Sequence, residues 1–231
     1  MRLIFIHLET KNMKKHYFSF WLLLAISTAT VVFNSCGKDE PEQEDPKQEE
    51  PITTDSGVVI DGIRWATRNV DASGTFAENP ESSGMFYQWN RRVGWSATGD
   101  VSGWNRSRPQ GEIWERANNP CPQGWRVPVR AELQTLGDTD NVTSQWTSVN
   151  GINGSKFTDR ATGNYIFLPA AGWRFIPNGT LNNAGRNGSY WSSTSDGTMY
   201  AWNLTFSGSV AIVRSGNFSR ADGFSVRCVA E

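Results

Sequence analysis

A single cysteine marks the border between an apolar run and an acidic, proline-spaced run, and this border limits how much of the chain can fold. Residues 18–33 are largely apolar, and Lys14 and Lys15 precede them. Residues 37–55 contain eight acidic residues, two lysines and three prolines, with Ile52 as the one apolar residue. A segment of this composition cannot bury enough apolar surface to fold. We therefore expect the folded part to be residues 56–231.

The residues before Cys36 follow the order of a processed targeting segment: a positive start, a short apolar stretch and small residues at the cleavage point. We predict a signal peptide over residues 1–35, with Met13 as an alternative start. The apolar stretch is shorter than the roughly 20 residues that a membrane-spanning helix needs. Residues 36–55 would form a disordered acidic stalk ahead of the folded domain.

Cys36 follows two small polar residues, Asn34 and Ser35, at the end of the apolar stretch. This setting resembles the lipobox of bacterial lipoproteins, which implies that Cys36 is lipidated and anchors the protein in the outer membrane. The next four residues, 37–40, are similar to the export signal of surface-displayed lipoproteins of Bacteroidetes-type bacteria, which implies display on the cell exterior. A plain secretory signal with an incidental cysteine is the alternative.

The residues that are missing after the leader exclude several kinds of chemistry. Both histidines, His7 and His16, lie in the predicted leader. Ser-His and Cys-His nucleophile pairs and histidine metal sites therefore cannot form in the rest of the chain. Residues 56–231 carry 16 basic and 14 acidic residues, a net charge of +2, with no basic stripe and no carboxylate pair of diagnostic spacing. We expect a protein that is not an enzyme and has no metal, cofactor or nucleic-acid partner.

Cys121 and Cys228 are the two cysteines that remain after Cys36. In an oxidising compartment an even pair of cysteines indicates a disulfide. Two free reactive thiols are the alternative.

The domain reads as a series of short elements. Asp61-Gly62 is a hairpin signal between strands predicted over 58–60 and 63–70. The pattern predicts further strands over 85–89, 165–169, 190–194, 200–206, 210–213 and 223–229. One helix is predicted from Pro128 to Gly137, with Ala131, Leu133 and Leu136 on its buried face. Residues 90–120 have no steady period and are predicted as loop. This pattern indicates an α+β domain with one or two helices and long loops.

Seven motifs occur in one order along the domain: WATRNV, MFYQW, NPCPQGWRVPVRAEL, NYIFLPAAGWR, GSYWSST, AWNLTF and GFSVRCV. Together they resemble the Fibrobacter succinogenes major paralogous domain family. The resemblance implies a C-type lectin-like fold, in which the last strand returns beside the first and brings Cys228 within reach of Cys121. Sugar-binding members of that fold use a calcium loop and a Trp-Asn-Asp strand. Here the strand reads Trp202-Asn203-Leu204, so we expect no calcium site. The formylglycine-generating enzymes share a related fold and the helix entry seen at 126–132, but their catalytic cysteines are lacking once 121 and 228 are paired.

The C-terminal part of the chain has an unusual composition. Residues 175–230 contain no Lys, Glu or Gln, whereas residues 56–174 contain eleven. Mutation of adenines by a diversity-generating retroelement would produce this bias, and the region resembles the variable C-terminus of retroelement target proteins. Turn-rich and strand-rich segments also favour Asn, Ser, Gly and Thr, which is the simpler explanation.

These observations predict a ligand-binding patch in the C-terminal region. Rigid aromatic side chains offer contact area at low entropic cost, and small polar residues adapt to a ligand. The predicted patch consists of Met199, Tyr200, Trp202, Thr205, Ile212, Arg214 and Phe218. Core packing is the alternative for each residue. The expected function is a surface lipoprotein with a lectin-like module for an unknown protein or glycan, and the alternative is a tip or accessory subunit of a surface appendage.

Overall fold

The computed structural model describes residues 54–209, 211–214 and 218–231, and for residues 212–214 the description is limited to the backbone. The predicted signal peptide, the predicted lipidation site Cys36 and the predicted stalk up to residue 53 lie outside the described residues. The one α-helix in the described part of the chain has six residues, so no helix there is long and apolar enough to span a bilayer.

The described residues form fifteen strands, one α-helix and one short 3₁₀ helix. In chain order they are β1 Val58–Ile60, β2 Ile63–Trp65, β3 Phe86–Gln88, β4 Gly94–Trp95, the 3₁₀ helix Arg116–Asn118, β5 Trp125–Arg126, α1 Arg130–Thr135, β6 Val142–Val149, β7 Ile152–Asp159, β8 Tyr165–Pro169, β9 Trp173–Arg174, β10 Leu181–Asn182, β11 Asn187–Asp196, β12 Tyr200–Ser207, β13 Ala211–Arg214, β14 Gly223–Phe224 and β15 Val229–Ala230.

The prediction of an α+β, C-type lectin-like fold is wrong, because the regular secondary structure of the described domain is mostly strand. They form four sheets with the orders β1-β2-β15-β5, β10-β9-β14-β3-β4, β11-β12-β13 and β6-β7-β8. Every strand pair within these sheets is antiparallel. Helical content is limited to α1 and the 3₁₀ turn, which is too little to form a layer against a sheet.

Much of the excess strand lies in a hairpin that the sequence reading did not assign. Strands β6 and β7 pair over eight residues each without a break in register. Their turn is Asn150-Gly151, and both residues have positive φ, 49° and 81°. A two-residue turn with positive φ at both positions matches the right-handed twist of paired strands. The Asn-Gly pair was the available signal for this hairpin.

Helix α1 is present where the sequence predicts a helix, but it begins at Arg130, two residues after Pro128. Glu132 determines this start: its carboxylate accepts a hydrogen bond from the Val129 N–H at 2.8 Å and two from the Arg126 guanidinium at 2.8 and 2.7 Å. Leu133 is buried as predicted. The prediction for Ala131 is wrong, because one turn of helix against the domain leaves this residue exposed.

The two ends of the domain meet, as the sequence motifs suggested. Val229 of β15 pairs with Trp65 of β2. Before β1, the Asp55 carboxylate accepts hydrogen bonds from the N–H and hydroxyl of Thr67 at 2.8 and 2.9 Å. The predicted disulfide between Cys121 and Cys228 is confirmed, with the two Cα atoms 6.1 Å apart.

The β11–β12 hairpin lies between two apolar clusters and positions the surface described next. Trp191 and Ala201 belong to the cluster around the disulfide, while Tyr190, Leu204 and Phe206 belong to the cluster around β7 and β8. The register of the hairpin shifts between Trp191 and Ser195, so β11 carries a bulge near the start of β12. Bulges re-aim side chains, and here the end of the hairpin projects from the core.

Candidate functional site

The structure brings three of the predicted patch residues together at the start of β12. Met199 is 42% exposed, and Tyr200 and Trp202 are half-buried. Tyr200 and Trp202 are two positions apart on one strand, so they lie on the same face. These three residues form the accessible part of the predicted patch.

The other predicted patch residues lie elsewhere or outside the description. Thr205 is buried, and its hydroxyl donates to the Asn203 side-chain oxygen at 2.9 Å. Phe218 is half-buried and packs edge-on against Trp173 and Phe224. The side chains of Ile212 and Arg214 are outside the described residues, although their backbones pair with Thr205 and Asn203. Ligand binding by the patch stays a prediction.

Trp202 supports an arginine that the sequence reading did not select. The guanidinium carbon of Arg130 lies 3.4 Å from the centroid of the Trp202 ring. The backbone N–H of Arg130 donates to the Thr194 hydroxyl at 2.9 Å, which fixes the start of α1 beside the β11 bulge. The stack joins the helix entry to the face of β12 that carries Tyr200.

A groove of about 470 Å³ adjoins the helix entry, and Val129, the residue before Arg130, contributes to its lining. Ile113 and Val129 line it and are 67% and 41% exposed, and the buried ring of Trp114 also contributes to its wall. Backbone hydrogen bonds link the two sides through β11: Trp114 N–H to Ser193 O at 3.1 Å, and Ser193 N–H to Pro128 O at 2.7 Å. The groove therefore has a fixed backbone frame, and its lining combines these apolar side chains with the charged Arg116, Arg126 and Glu231.

We call these contiguous residues the Arg130 surface. It consists of Ile113, Val129, Arg130, Met199, Tyr200 and Trp202. The sequence reading found the part on β12. It missed Ile113 and Val129 because the loop 90–120 showed no period and the helix entry was read as a structural motif. Exposure of an isoleucine cannot be read from a single sequence.

The buried guanidinium of Arg220 holds this surface together from below. It donates to the backbone carbonyls of Gly111 at 2.7 Å, Tyr200 at 3.1 Å and Pro109 at 3.3 Å, and also to that of Gly197. Its guanidinium carbon lies 4.2 Å from the centroid of the Trp89 ring. Burial lowers the pKa of Arg220. One side chain thus ties the loop before Ile113 to the turn before β12.

The carboxylates near this part of the fold are used by the fold itself. Asp222 accepts hydrogen bonds from the N–H groups of Ile176 and Ser219 at 2.7 and 2.8 Å, and burial raises its pKa to about 6. Burial acts to raise the pKa of Glu132, but the Arg126 and Val129 hydrogen bonds outweigh it and lower that pKa. In the ranges that the structure describes, no three Asp, Glu, His or Cys residues are grouped so as to hold a metal ion.

Comparison with known proteins gives one match. The family model of the Fibrobacter succinogenes major domain matches residues 58–230. Neither the curated proteins nor the solved structures gave a significant match.

Proposed function

The chain belongs to the Fibrobacter succinogenes major domain family, and from this premise we propose that it is a non-enzymatic ligand-binding protein, carried on the outer face of the outer membrane by a lipid on Cys36. The domain would bind its ligand through the Arg130 surface. The ligand would be met outside the cell, at the end of an acidic stalk.

The observation that supports this proposal best is the composition and support of the Arg130 surface. It combines exposed apolar side chains, half-buried aromatic rings and a stacked guanidinium. Aromatic residues and arginine are the residue types that dominate binding energy at interfaces. The frame behind them is fixed by Arg220 and by the disulfide, so little ordering is needed when a ligand binds.

The ligand-binding proposal is tested with the mature chain carrying Cys36→Ala, which removes the acylation site, immobilised and exposed to cross-linkable cell-surface fractions. Tyr200→Ala combined with Ile113→Ser should abolish capture, because both changes remove contact area from the Arg130 surface. Tyr165→Ala is the matched control, since Tyr165 is 54% exposed on β8, which belongs to a different sheet from β12. Equal capture by all three proteins would refute the proposed surface.

The same experiment separates ligand binding from the structural alternative. A stable stoichiometric complex with proteins of the same cell's appendage would favour a tip or accessory subunit. Capture of molecules from outside the producing cell would favour a receptor-like role.

The anchor proposal depends on residues outside the description and is tested by labelling. Cells fed a radiolabelled fatty acid should label the wild-type chain and not Cys36→Ala. Protease added to intact cells should remove the domain from wild-type cells. An unlabelled wild-type chain, or one protected from protease in intact cells, would refute surface anchoring.

Diversification by a retroelement remains part of the proposal, and the structure restricts where changes could be tolerated. Gly208 and Ser209 are exposed, whereas Arg220 and Asp222 are buried and hydrogen-bonded. We expect variation at the exposed turn and at Tyr200, with the two buried residues unchanged. A neighbouring reverse transcriptase gene with a template copy of the codons for 175–230 would support this. A genome region without either would refute it.

A further inference from the structure

We propose that the Arg130 surface recognises an extended peptide that places one acidic side chain on Arg130 and one apolar side chain in the adjoining groove. This inference rests on the proposed function and specifies the chemistry of the ligand.

The guanidinium of Arg130 has no hydrogen-bond acceptor within the described part of the chain. The ion pairs found there join Arg68 to Asp55, Arg116 to Glu231 and Arg126 to Glu132. The side chain of Arg130 donates no hydrogen bond to a described residue, and its Nε is buried without a partner. The two terminal nitrogens are not among the buried unpartnered atoms, so they face solvent.

The ring of Trp202 already holds this guanidinium in one orientation. Stacking at 3.4 Å on Trp202 fixes the plane of the group and seals one of its faces. A planar guanidinium presents a fork of N–H donors that matches the two oxygens of a carboxylate. A carboxylate bound at the open edge would receive two parallel hydrogen bonds without reordering of the arginine.

The neighbouring groove suits a peptide side chain better than a sugar. Ile113, Trp114, Val127 and Val129 give the groove apolar walls. Its polar lining residues are Arg116, Asn119, Arg126, Ser193 and Glu231, of which Arg116 is paired with Glu231 and Arg126 with Glu132. The groove volume of about 470 Å³ lies within the range of roughly 300–1,000 Å³ for small-ligand sites. Sugar hydroxyl groups placed against such walls would lose their hydrogen bonds to water, at a cost for each unpaired group. A Leu, Ile, Met or Phe side chain would lose none.

The distance between the two subsites sets the spacing of the two recognised residues in the ligand. Val129 lines the groove and Arg130 is the next residue, so the two subsites begin about 3.8 Å apart at the Cα atoms. An extended peptide advances about 3.3 Å per residue. The acidic and apolar residues of the ligand should therefore lie within two positions of each other. Glu112 and Asp196 add negative charge beside the Ile113 and Tyr200 positions, so a single acidic residue should be preferred over an acidic run.

The test uses a phage-displayed library of random 12-residue peptides, panned on the mature chain carrying Cys36→Ala. The selected peptides should contain one Asp or Glu within two positions of a large apolar residue. A synthetic peptide with the selected sequence should bind Arg130→Gln at least tenfold more weakly, and Arg130→Lys should recover only part of the loss. Arg106→Gln, the same charge change at an exposed position outside the surface, should stay within twofold of wild type.

A change in the peptide tests the same contact on the unaltered protein, so the result does not depend on how the variant folds. Replacing the acidic residue of the selected peptide by its amide should weaken binding to the wild-type protein tenfold or more. The same replacement should hardly change binding to Arg130→Gln. Peptides without an acidic residue, or an amide peptide that binds wild type equally well, would overturn the inference. If Tyr200→Ala and Ile113→Ser still abolish the binding of such peptides, the proposed function stands without this inference.

A glycan array with uronic-acid sugars forms the second arm. Arg130-dependent binding to those sugars, with no peptide selected, would overturn the peptide assignment. Absence of binding to both probes would overturn it as well, whereas the capture experiment on cell-surface fractions judges the proposed function separately.

Discussion

Arg220 should be the most sensitive single position for both the stability and the shape of the Arg130 surface. Arg220→Met keeps a long side chain over Trp89 and removes every hydrogen bond from the guanidinium. The carbonyls of Pro109, Gly111, Gly197 and Tyr200 would then lose their donor. Arg106→Met, at an exposed position, is the control for the loss of one positive charge.

The size of the effect follows from two opposing terms. Four hydrogen bonds from a charged group, at about 1.5–3 kcal/mol each, contribute about 6–12 kcal/mol. Against this, the guanidinium is buried without a carboxylate partner among the described residues, and burial alone lowers its pKa. Removing it therefore recovers part of a desolvation cost. We expect the free energy of unfolding to fall by about 2–4 kcal/mol, against less than about 0.5 kcal/mol for the surface control.

Urea unfolding followed by tryptophan fluorescence measures the stability, and hydrogen exchange measures the local effect. Exchange should accelerate at the Trp114 amide, which donates to Ser193, and at the Arg220-position amide, which donates to Met199. Exchange in the β6–β7 hairpin should be unchanged relative to the global stability. A loss below about 1 kcal/mol with unaltered exchange at Trp114 would refute the view that Arg220 organises the surface.

Three further perturbations test other parts of the fold. Replacing Cys121 and Cys228 by alanine should lower the free energy of unfolding by about 2–5 kcal/mol in urea, because a cross-link over a separation of 107 residues restricts the unfolded chain; an unchanged midpoint would contradict this. Gly188→Ala would place a Cβ 2.1 Å from the ring of a buried phenylalanine and should lower the melting temperature, whereas Gly208→Ala, with 3.9 Å of space, should not. The pKa of Asp222 is raised from 3.8 to about 6, so the folded state binds its proton more tightly and stability should fall by up to about 3 kcal/mol as pH rises from about 4 to 6; Asp222→Asn should flatten this dependence, and an identical pH profile would contradict it.

The sequence predicted the elements whose signals are local. The Asp61-Gly62 turn, the helix entry before Glu132 and the period-2 run of β12 all depend on residues within a few positions of each other. The β6–β7 hairpin was missed even though Asn150-Gly151 marks its turn, because β6 reads VTSQWTSV and its mixed polar residues show no strict alternation. The fold class was wrong for the same reason, since these unassigned segments are strands and the described residues contain a single α-helix of six residues.

The surface was harder to predict because burial depends on what packs from the other side. On β12, Ala201, Asn203 and Thr205 alternate with Tyr200, Trp202, Leu204 and Phe206, yet all three are buried. Ala201 packs in the cluster around the disulfide, which is assembled from residues more than a hundred positions apart. The role of Arg130 could not be predicted either, because its stacking on Trp202 joins two positions 72 residues apart that no local pattern connects.

The placement of arginines connects the stability of this domain with its proposed function. Arg174, Arg220 and Arg227 are buried, and their guanidinium groups are occupied mainly by backbone carbonyls of loops. Such carbonyls would otherwise be left unpaired in a fold with short strands and long connections, and each would cost stability. Arg130 has the same side chain but no such acceptor among the described residues, and it is stacked at the surface instead. Because buried guanidinium groups hold the loops in place, α1 can present the unpaired guanidinium of Arg130 to a ligand without rearrangement of the loops around it.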